Sequence, residues 1–161
     1  MGGFNLRSLW FEDNSLIIID QTLLPTEFKT AKLKSCDEVA HAIKTLMVRG
    51  APAIGVAAAY GLYLGVKDCD ETDIDRALQS SYELLRSTRP TAVNLFWALE
   101  RAKGTVLKAR PEGTDAAKAA LLNEAHKMAE EDIATNRKIG EYGNILIEAG
   151  FNILTHCNAG A

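Results

Sequence analysis

Two segments of the sequence place an arginine directly before the predicted start of a helix. Arg49 opens the segment 49–52 and Arg89 opens the segment 89–91, and both segments contain a proline. Proline is tolerated in the first helical turn, so each segment indicates a helix N-terminus. The free N–H groups and positive dipole end there favour an anion, and the guanidinium fork suits phosphate oxygens. The segments predict either a phosphate site built from two loops or two structural arginines that neutralise carboxylates or carbonyl groups.

A cysteine in the last turn of the sequence is a second candidate for chemistry. Cys157 follows the apolar run 151–155, which predicts a buried strand. Ligands of open α/β sheets bind beyond the carboxyl ends of strands, where a tuned thiol can act as acid, base or nucleophile. The alternative is a small buried hydrophobic residue. His156 points to the opposite face of such a strand, so we expect no Cys–His dyad. Cys36 and Cys69 lack a partner and are interpreted as structural.

The first third of the chain predicts a small antiparallel β-meander. The apolar runs 9–11 and 16–19 flank a turn composition at 13–15. A third extended segment, 27–33, follows Pro25. Asp20 and Gln21 come directly after the second run and are interpreted as a turn with local hydrogen bonds.

The rest of the chain predicts helices. Ser35 and Glu38 form a capping box for the first of them. Further helices are predicted to begin at Pro52, near Thr72 and near Thr91, followed by a long helical region over 115–149. Glycines at 140 and 143 are candidate interruptions, and Gly150 is the predicted stop. Leu78, Leu84 and Leu85 are predicted to lie on the inner face of the helix that begins near Thr72. Trp10, Trp97 and the tyrosines are predicted to be core aromatics.

These elements predict an α+β fold. Residues 1–34 form the β-meander and residues 35–150 form a helical bundle, and together they make one N-terminal domain. Residues 151–161 are expected to be the first strand and turn of a Rossmann-like α/β domain that is cut short.

Composition excludes several classes of function. The 18 Lys and Arg against 21 Asp and Glu give a net charge of -3, without the basic face that nucleic-acid binding requires. The three cysteines have neither zinc-ligand spacing nor a disulfide framework, so we expect no metal site and a reducing, cytoplasmic compartment. The uncharged segment 50–66 is too short and too rich in Gly to span a membrane.

Five blocks of sequence, in order along the whole chain, resemble the methylthioribose-1-phosphate isomerase family. They are the segments 20–25, 47–61, 87–95, 131–140 and 155–161. The resemblance implies a dimeric enzyme of two modules that converts 5-methylthioribose 1-phosphate to 5-methylthioribulose 1-phosphate in methionine salvage. It implies a sugar phosphate as the small-molecule partner and neither a metal nor an organic cofactor.

The resemblance also assigns roles to individual residues. The family's phosphate and sugar contacts fall on Arg49, Gly50, Ala51 and Arg89, and its cysteine beside the reacting carbons falls on Cys157. The family's catalytic aspartate lies in the C-terminal module. We therefore expect residues 1–161 alone to be inactive until that missing domain or a complementing chain is supplied.

Three other classes compete with this interpretation. Regulatory subunits of the translation initiation factor 2B type share the helical part but generally lack the block 20–25. A ribose-1,5-bisphosphate isomerase requires a second anion site, and no further arginine precedes a helix start. A cysteine hydrolase requires an oriented histidine, and neither His41 nor His126 lies in a supporting motif.

Overall fold

The computed structural model describes residues 7–156, and its first elements form the predicted β-meander. Strands β1 (Leu9–Glu12), β2 (Ser15–Ile19) and β3 (Thr30–Leu33) pair antiparallel in the order β1-β2-β3. Asp13 and Asn14 both have positive φ, the backbone that a two-residue hairpin between twisted strands requires. Every residue of β2 is buried, so the middle strand anchors the sheet to the helices.

Helix α1, Cys36–Lys44, begins at the predicted capping box. The Ser35 hydroxyl accepts a hydrogen bond of 3.2 Å from the Glu38 N–H. The Glu38 carboxylate in turn accepts from the N–H of Lys34, one residue before the N-cap, rather than from that of Ser35. The Glu38 N–H in the first turn and the Lys34 N–H before the helix are thereby satisfied, and the apolar stripe of α1 turns toward the core.

Helix α2, Ala51–Val66, is the central element of the fold. It packs against β1, β2 and every other helix described, so it carries no charged residue and is buried along most of its length. Glycines allow its neighbours to approach closely. A Cβ added at Gly55 would lie 2.8 Å from the carbonyl oxygen of Asn94, and one at Gly61 would lie 2.8 Å from Val39 Cγ1.

The remaining helices pack around α2. They are α3 (Ile74–Thr88), α4 (Val93–Ala109) and α5 (Thr114–Asn144), with a single 3-10 turn between α4 and α5. Gly65 lies against Ser81 and Gly61 lies against Leu85, so α3 runs antiparallel to α2. The end of α3 therefore lies beside the beginning of α2.

Several side chains predicted to be buried are exposed. Leu84 is 37% exposed, Trp97 is 53% exposed and Tyr142 is 70% exposed. The predicted Leu78 and Leu85 do lie on the inner face of α3, together with Tyr82, since α3 packs on both α1 and α2. Trp97 lies on the outer side of α4, where the guanidinium of Arg101 covers its ring at 5.3 Å.

Helix α5 is longer and more exposed than its partners. It is a single helix that includes Gly140 and Gly143, and it ends at Asn144 rather than near position 149. Its buried residues all lie in the first half, and they are Ala117, Leu121, Ala125 and Met128. The second half of the helix is therefore held by its own hydrogen bonds, with little packing against the bundle.

Residues 151–156 do not form the predicted strand in this structure and are exposed. An apolar run becomes a strand only beside another strand, and within residues 7–156 the meander is the sheet present. The Rossmann-like domain that this strand would begin stays a prediction. No helix in the part of the chain described here is long and apolar enough to cross a membrane.

Candidate anion site at one end of the helical bundle

Three loops meet at the end of the bundle where α2 begins. The loop 45–50 leads from α1 into α2, and the loop 89–92 leads from α3 into α4. Close contact between Gly55 and Asn94 brings the first turns of α2 and α4 together. The loop 20–29 joins this end because the N–H of Gln21 donates a hydrogen bond of 3.1 Å to the carbonyl of Met47. The two segments singled out in the sequence thus lie at one end of the molecule.

The start of α2 is open to an anion. Gly50 is its N-cap with φ of 94°, a backbone that glycine adopts without strain, and its carbonyl accepts from the Ile54 N–H at 3.0 Å. No side chain caps the helix, and no acidic residue lies in its first turn. Pro52 has no N–H, so the backbone donors of the first turn include those of Ala51 and Ala53. These donors and the helix dipole give this end a local positive charge.

The start of α4 has the same properties. Ala92 is its N-cap and makes no side-chain capping bond, and its first turn contains no acidic residue. Arg89 is the C-cap of α3, where its carbonyl accepts from the Ala92 N–H at 3.0 Å. Arg89 is half-buried and lies in the loop between the end of α3 and the uncapped start of α4.

Both candidate arginines have guanidinium groups without a partner in the part of the chain that the structure describes. Within residues 7–156, the side chains of Arg49 and Arg89 make no hydrogen bond and no ion pair. Four other arginines pair with carboxylates, and these are Arg7, Arg76, Arg101 and Arg110. Arg86 lies over the Phe96 ring instead, and Arg137 has no ion pair among the described residues. The lack of a partner supports the anion site only together with the position of Arg49 and Arg89 before two helix starts.

The loop 20–29 is held by a compact turn at its start, as the sequence predicted. Asp20 Oδ1 accepts hydrogen bonds from the Thr22 N–H at 3.0 Å and from the Thr22 hydroxyl at 2.6 Å. The Asp20 N–H donates to the carbonyl of Lys29 at 2.9 Å, which closes the loop. Sequence reasoning identified this turn but not its contact with the loop that carries Arg49.

The cysteines divide into two groups. Cys36 is buried beside Ser81, and burial raises the pKa of its thiol to about 11. Cys69 is half-buried after the end of α2, and its thiol donates to the carbonyl of Gly65. Both positions fit the predicted structural roles. Cys157 lies outside the described residues, so its catalytic role stays a prediction.

An aromatic cluster on the other side of α2 was not predicted. The Tyr60 ring stacks on Phe11, and the Tyr60 hydroxyl shares a hydrogen bond of 2.8 Å with Nδ1 of His126. Burial raises the pKa of Tyr60 to about 12. His126 thus joins α5 to α2 and to the sheet, which is the packing role expected of it.

A polar cleft of about 380 Å³ lies at the opposite end of the bundle, between the end of α2 and the start of α5. Two of its carboxylates are already engaged: Glu71 accepts from Thr114 and Arg110, and Asp70 accepts from Thr72. Within residues 7–156 no cluster of His, Cys, Asp and Glu is suited to hold a metal ion. Since α2 has 16 residues, about 24 Å of helix separates this cleft from the candidate site.

Comparison with known proteins agrees with the fold and the motifs. The Initiation factor 2 subunit family matches residues 47–161. A methylthioribose-1-phosphate isomerase from Carboxydothermus hydrogenoformans is 49% identical over 157 residues, which is 97% of this chain and 46% of that protein. One from Symbiobacterium thermophilum is 48% identical over 92% of this chain and 42% of its own length.

Two solved structures are similar to the chain. A 5-methylthioribose 1-phosphate isomerase from Pyrococcus horikoshii OT3 has a TM-score of 0.90 and 44% identity, covering 96% of this chain and 44% of that one. The delta subunit of translation initiation factor eIF-2B from A. fulgidus has a TM-score of 0.83 and 44% identity, covering 91% and 43%. The chain therefore spans less than half the length of these relatives, and it belongs to the Initiation factor 2 subunit family.

Proposed function

We propose that this chain supplies the phosphate-binding part of a methylthioribose-1-phosphate isomerase. One observation carries the proposal: two arginines without a partner among residues 7–156 precede two uncapped helix starts that lie side by side at one end of the bundle. Relatives that carry the isomerase name match the chain at 48–49% identity over nearly all of it, which supports the choice of this reaction.

In this proposal the 1-phosphate of the sugar occupies the candidate anion site. Arg49 and Arg89 contribute charge-assisted hydrogen bonds, while the backbone of Gly50 and Ala51 approaches the phosphate oxygens closely. Fixing the phosphate orients the adjacent C1 and C2 of the sugar. The binding energy of this remote group thereby lowers the entropic cost of aligning the reacting atoms.

The proposed reaction requires proton transfers on both sides of the sugar. The bond between C1 and the ring oxygen breaks, and that oxygen takes a proton. A hydrogen moves from C2 to C1, and the C2 hydroxyl loses its proton to become the ketone. Cys157 is proposed as one proton-transfer or transition-state group, on the basis of the family resemblance.

A partner for Cys157 must come from elsewhere. We propose that the portion of the relatives that this chain does not match supplies the second group, as a further domain or a complementing chain. The complete enzyme is proposed to be a homodimer and to need neither metal nor organic cofactor. The chain alone is then expected to bind the sugar phosphate without converting it.

The second candidate is a regulatory subunit of the translation initiation factor 2B type. The delta-subunit structure favours it, because its TM-score and identity to this chain are close to those of the isomerase structure. This function requires no free phosphate clamp. The two candidates therefore differ in whether the candidate anion site binds a sugar phosphate.

Titration of the chain with 5-methylthioribose 1-phosphate by calorimetry separates them. Arg49→Ala and Arg89→Ala should each weaken binding roughly 10- to 100-fold, since a hydrogen bond to a charged group contributes about 1.5–3 kcal/mol. Arg76→Ala is the matched control, because Arg76 is exposed on α3 and pairs with Asp73. Equal affinity of Arg49→Ala and wild type would contradict the clamp, and absence of binding by wild type would favour the regulatory subunit.

A further inference from the structure

We propose that Asp20 is a positioning residue that sets the conformation of the loop carrying Arg49 and Gly50 for phosphate binding. The inference rests on the proposed function and adds to it a residue from a different element, the loop between β2 and β3. Asp20 itself lies in the turn and is not proposed to touch the phosphate.

Asp20 fixes the conformation of its own loop by hydrogen bonds. Its carboxylate accepts from both the N–H and the hydroxyl of Thr22, while its N–H donates to Lys29. Its carbonyl accepts from the Leu23 N–H at 3.3 Å. The backbone of Gln21, between Asp20 and Thr22, is therefore held in one orientation, with its N–H directed out of the turn.

Gln21 connects this turn to the loop that precedes α2. Its N–H donates to the carbonyl of Met47 at 3.1 Å. The Met47 carbonyl shares its peptide unit with the N–H of Val48. That N–H donates to the carbonyl of Ala42 at 3.2 Å. One peptide plane is thus held on both sides, by the Asp20 turn and by helix α1.

The peptide plane between Met47 and Val48 lies close to the candidate anion site. It comes directly before Arg49, which is followed by Gly50 at φ of 94° and then by the first turn of α2. Leu46, on the other side, also has positive φ, so the loop departs from regular backbone at both ends. A loop of this shape needs external hydrogen bonds to keep one conformation, and rotation of the held plane would redirect the Arg49 side chain and the Gly50 N–H.

The chain offers a matched comparison for a test. Asp70 forms the same motif, accepting from the Thr72 N–H at 3.0 Å and from the Thr72 hydroxyl at 2.8 Å. It lies beyond the end of α2, at the opposite end of the bundle from Arg49. A purely structural role would make Asp20→Ala and Asp70→Ala equivalent, whereas a positioning role affects the anion site only through Asp20.

The experiment measures the affinity of the 161-residue chain for inorganic phosphate by NMR titration, together with amide exchange at Val48. Asp20→Ala should weaken phosphate binding about threefold to tenfold, the worth of one hydrogen bond, and should speed exchange at Val48. Asp20→Asn keeps the side-chain acceptor oxygen and should restore both values to within about twofold of wild type. Asp70→Ala should change neither, whatever it does to the urea midpoint.

The outcomes distinguish the positioning role of Asp20 from the anion site itself. If Asp20→Ala binds phosphate as wild type does while Arg49→Ala has lost binding, the positioning role is wrong and the anion site stands. If Asp70→Ala weakens binding as much as Asp20→Ala, affinity follows global stability and the positioning role is overturned. If wild type and Arg49→Ala bind phosphate equally, the anion site itself is wrong, and the role of Asp20 is overturned with it.

Discussion

Replacing Gly55 with alanine tests the close contact between α2 and α4. The new Cβ would lie 2.8 Å from the carbonyl oxygen of Asn94 and 3.2 Å from the Cβ of Ala98, against 3.4 Å for the closest ordinary van der Waals contact. Neither neighbour is the end of a flexible side chain. The start of α4 must therefore move away from α2, and Gly55→Ala is expected to destabilise the protein.

The magnitude follows from two opposing effects. Overpacking of a rigid core typically costs about 1–3 kcal/mol, and the upper part of that range applies because a backbone atom is struck. Alanine returns up to about 1 kcal/mol through its higher helix propensity. The net loss in the free energy of unfolding is about 1–2 kcal/mol, which lowers Tm by roughly 2–8 °C in a chain of this size.

Gly104→Ala is the matched control. Gly104 lies within α4, and a Cβ there would meet nothing within 4 Å. This variant gains helix propensity without overpacking, so it should be more stable than wild type by about 0.5–1 kcal/mol. Urea unfolding followed by circular dichroism measures both variants. A Gly55→Ala chain at least as stable as wild type would show that α2 and α4 are less closely packed than described.

Three further predictions concern the ion pairs, the buried thiol and the catalytic assignment. Arg101→Ala should lower the free energy of unfolding by about 1–2 kcal/mol, because Arg101 joins α4 to two glutamates of α5 at 2.5 and 2.6 Å. Arg76→Ala is the control and should lower it by less than about 0.5 kcal/mol. Equal losses of the two variants in urea unfolding would contradict this. The raised pKa of Cys36 means that the folded state retains its proton, so stability is fully present below pH 9 and is lost as pH rises toward 11. Cys36→Ala should remove that part of the alkaline loss, about 2–3 kcal/mol, and an unchanged pH profile would count against burial of the thiol. In an active isomerase containing this chain, Cys157→Ser should lower kcat by about 10²- to 10⁴-fold while Cys69→Ser leaves it unchanged, and a Cys157→Ser enzyme within threefold of wild type would refute the role.

Local signals in the sequence predicted the start of α1 and the first hairpin well. The capping box at Ser35 and the turn at 13–15 were confirmed because each is specified by hydrogen bonds within a few residues. The positions of Leu84 and Trp97 were wrong because burial depends on which elements pack on a helix, and periodicity alone does not specify those. The segment 151–155 is not a strand in this structure for a related reason, since strand formation depends on a pairing partner, and its place in a further domain stays a prediction.

The candidate site was predictable in its parts and not in its assembly. The sequence identified Arg49 and Arg89 from the chemistry of helix starts. Their placement at one end of the bundle depends on the contact of Gly55 with Asn94, between residues 39 positions apart in the chain. The contribution of the loop 20–29 depends on a backbone hydrogen bond, which no side-chain pattern encodes.

The central position of α2 has a consequence for the entropy of binding. We expect a helix enclosed by the sheet and by every other described helix to exchange the amide hydrogens of its buried part mainly through unfolding of the whole domain. The N–H donors at its first turn are attached to this most enclosed element of the fold. An anion that binds there meets donors already fixed in place, so little conformational freedom is lost on the protein side.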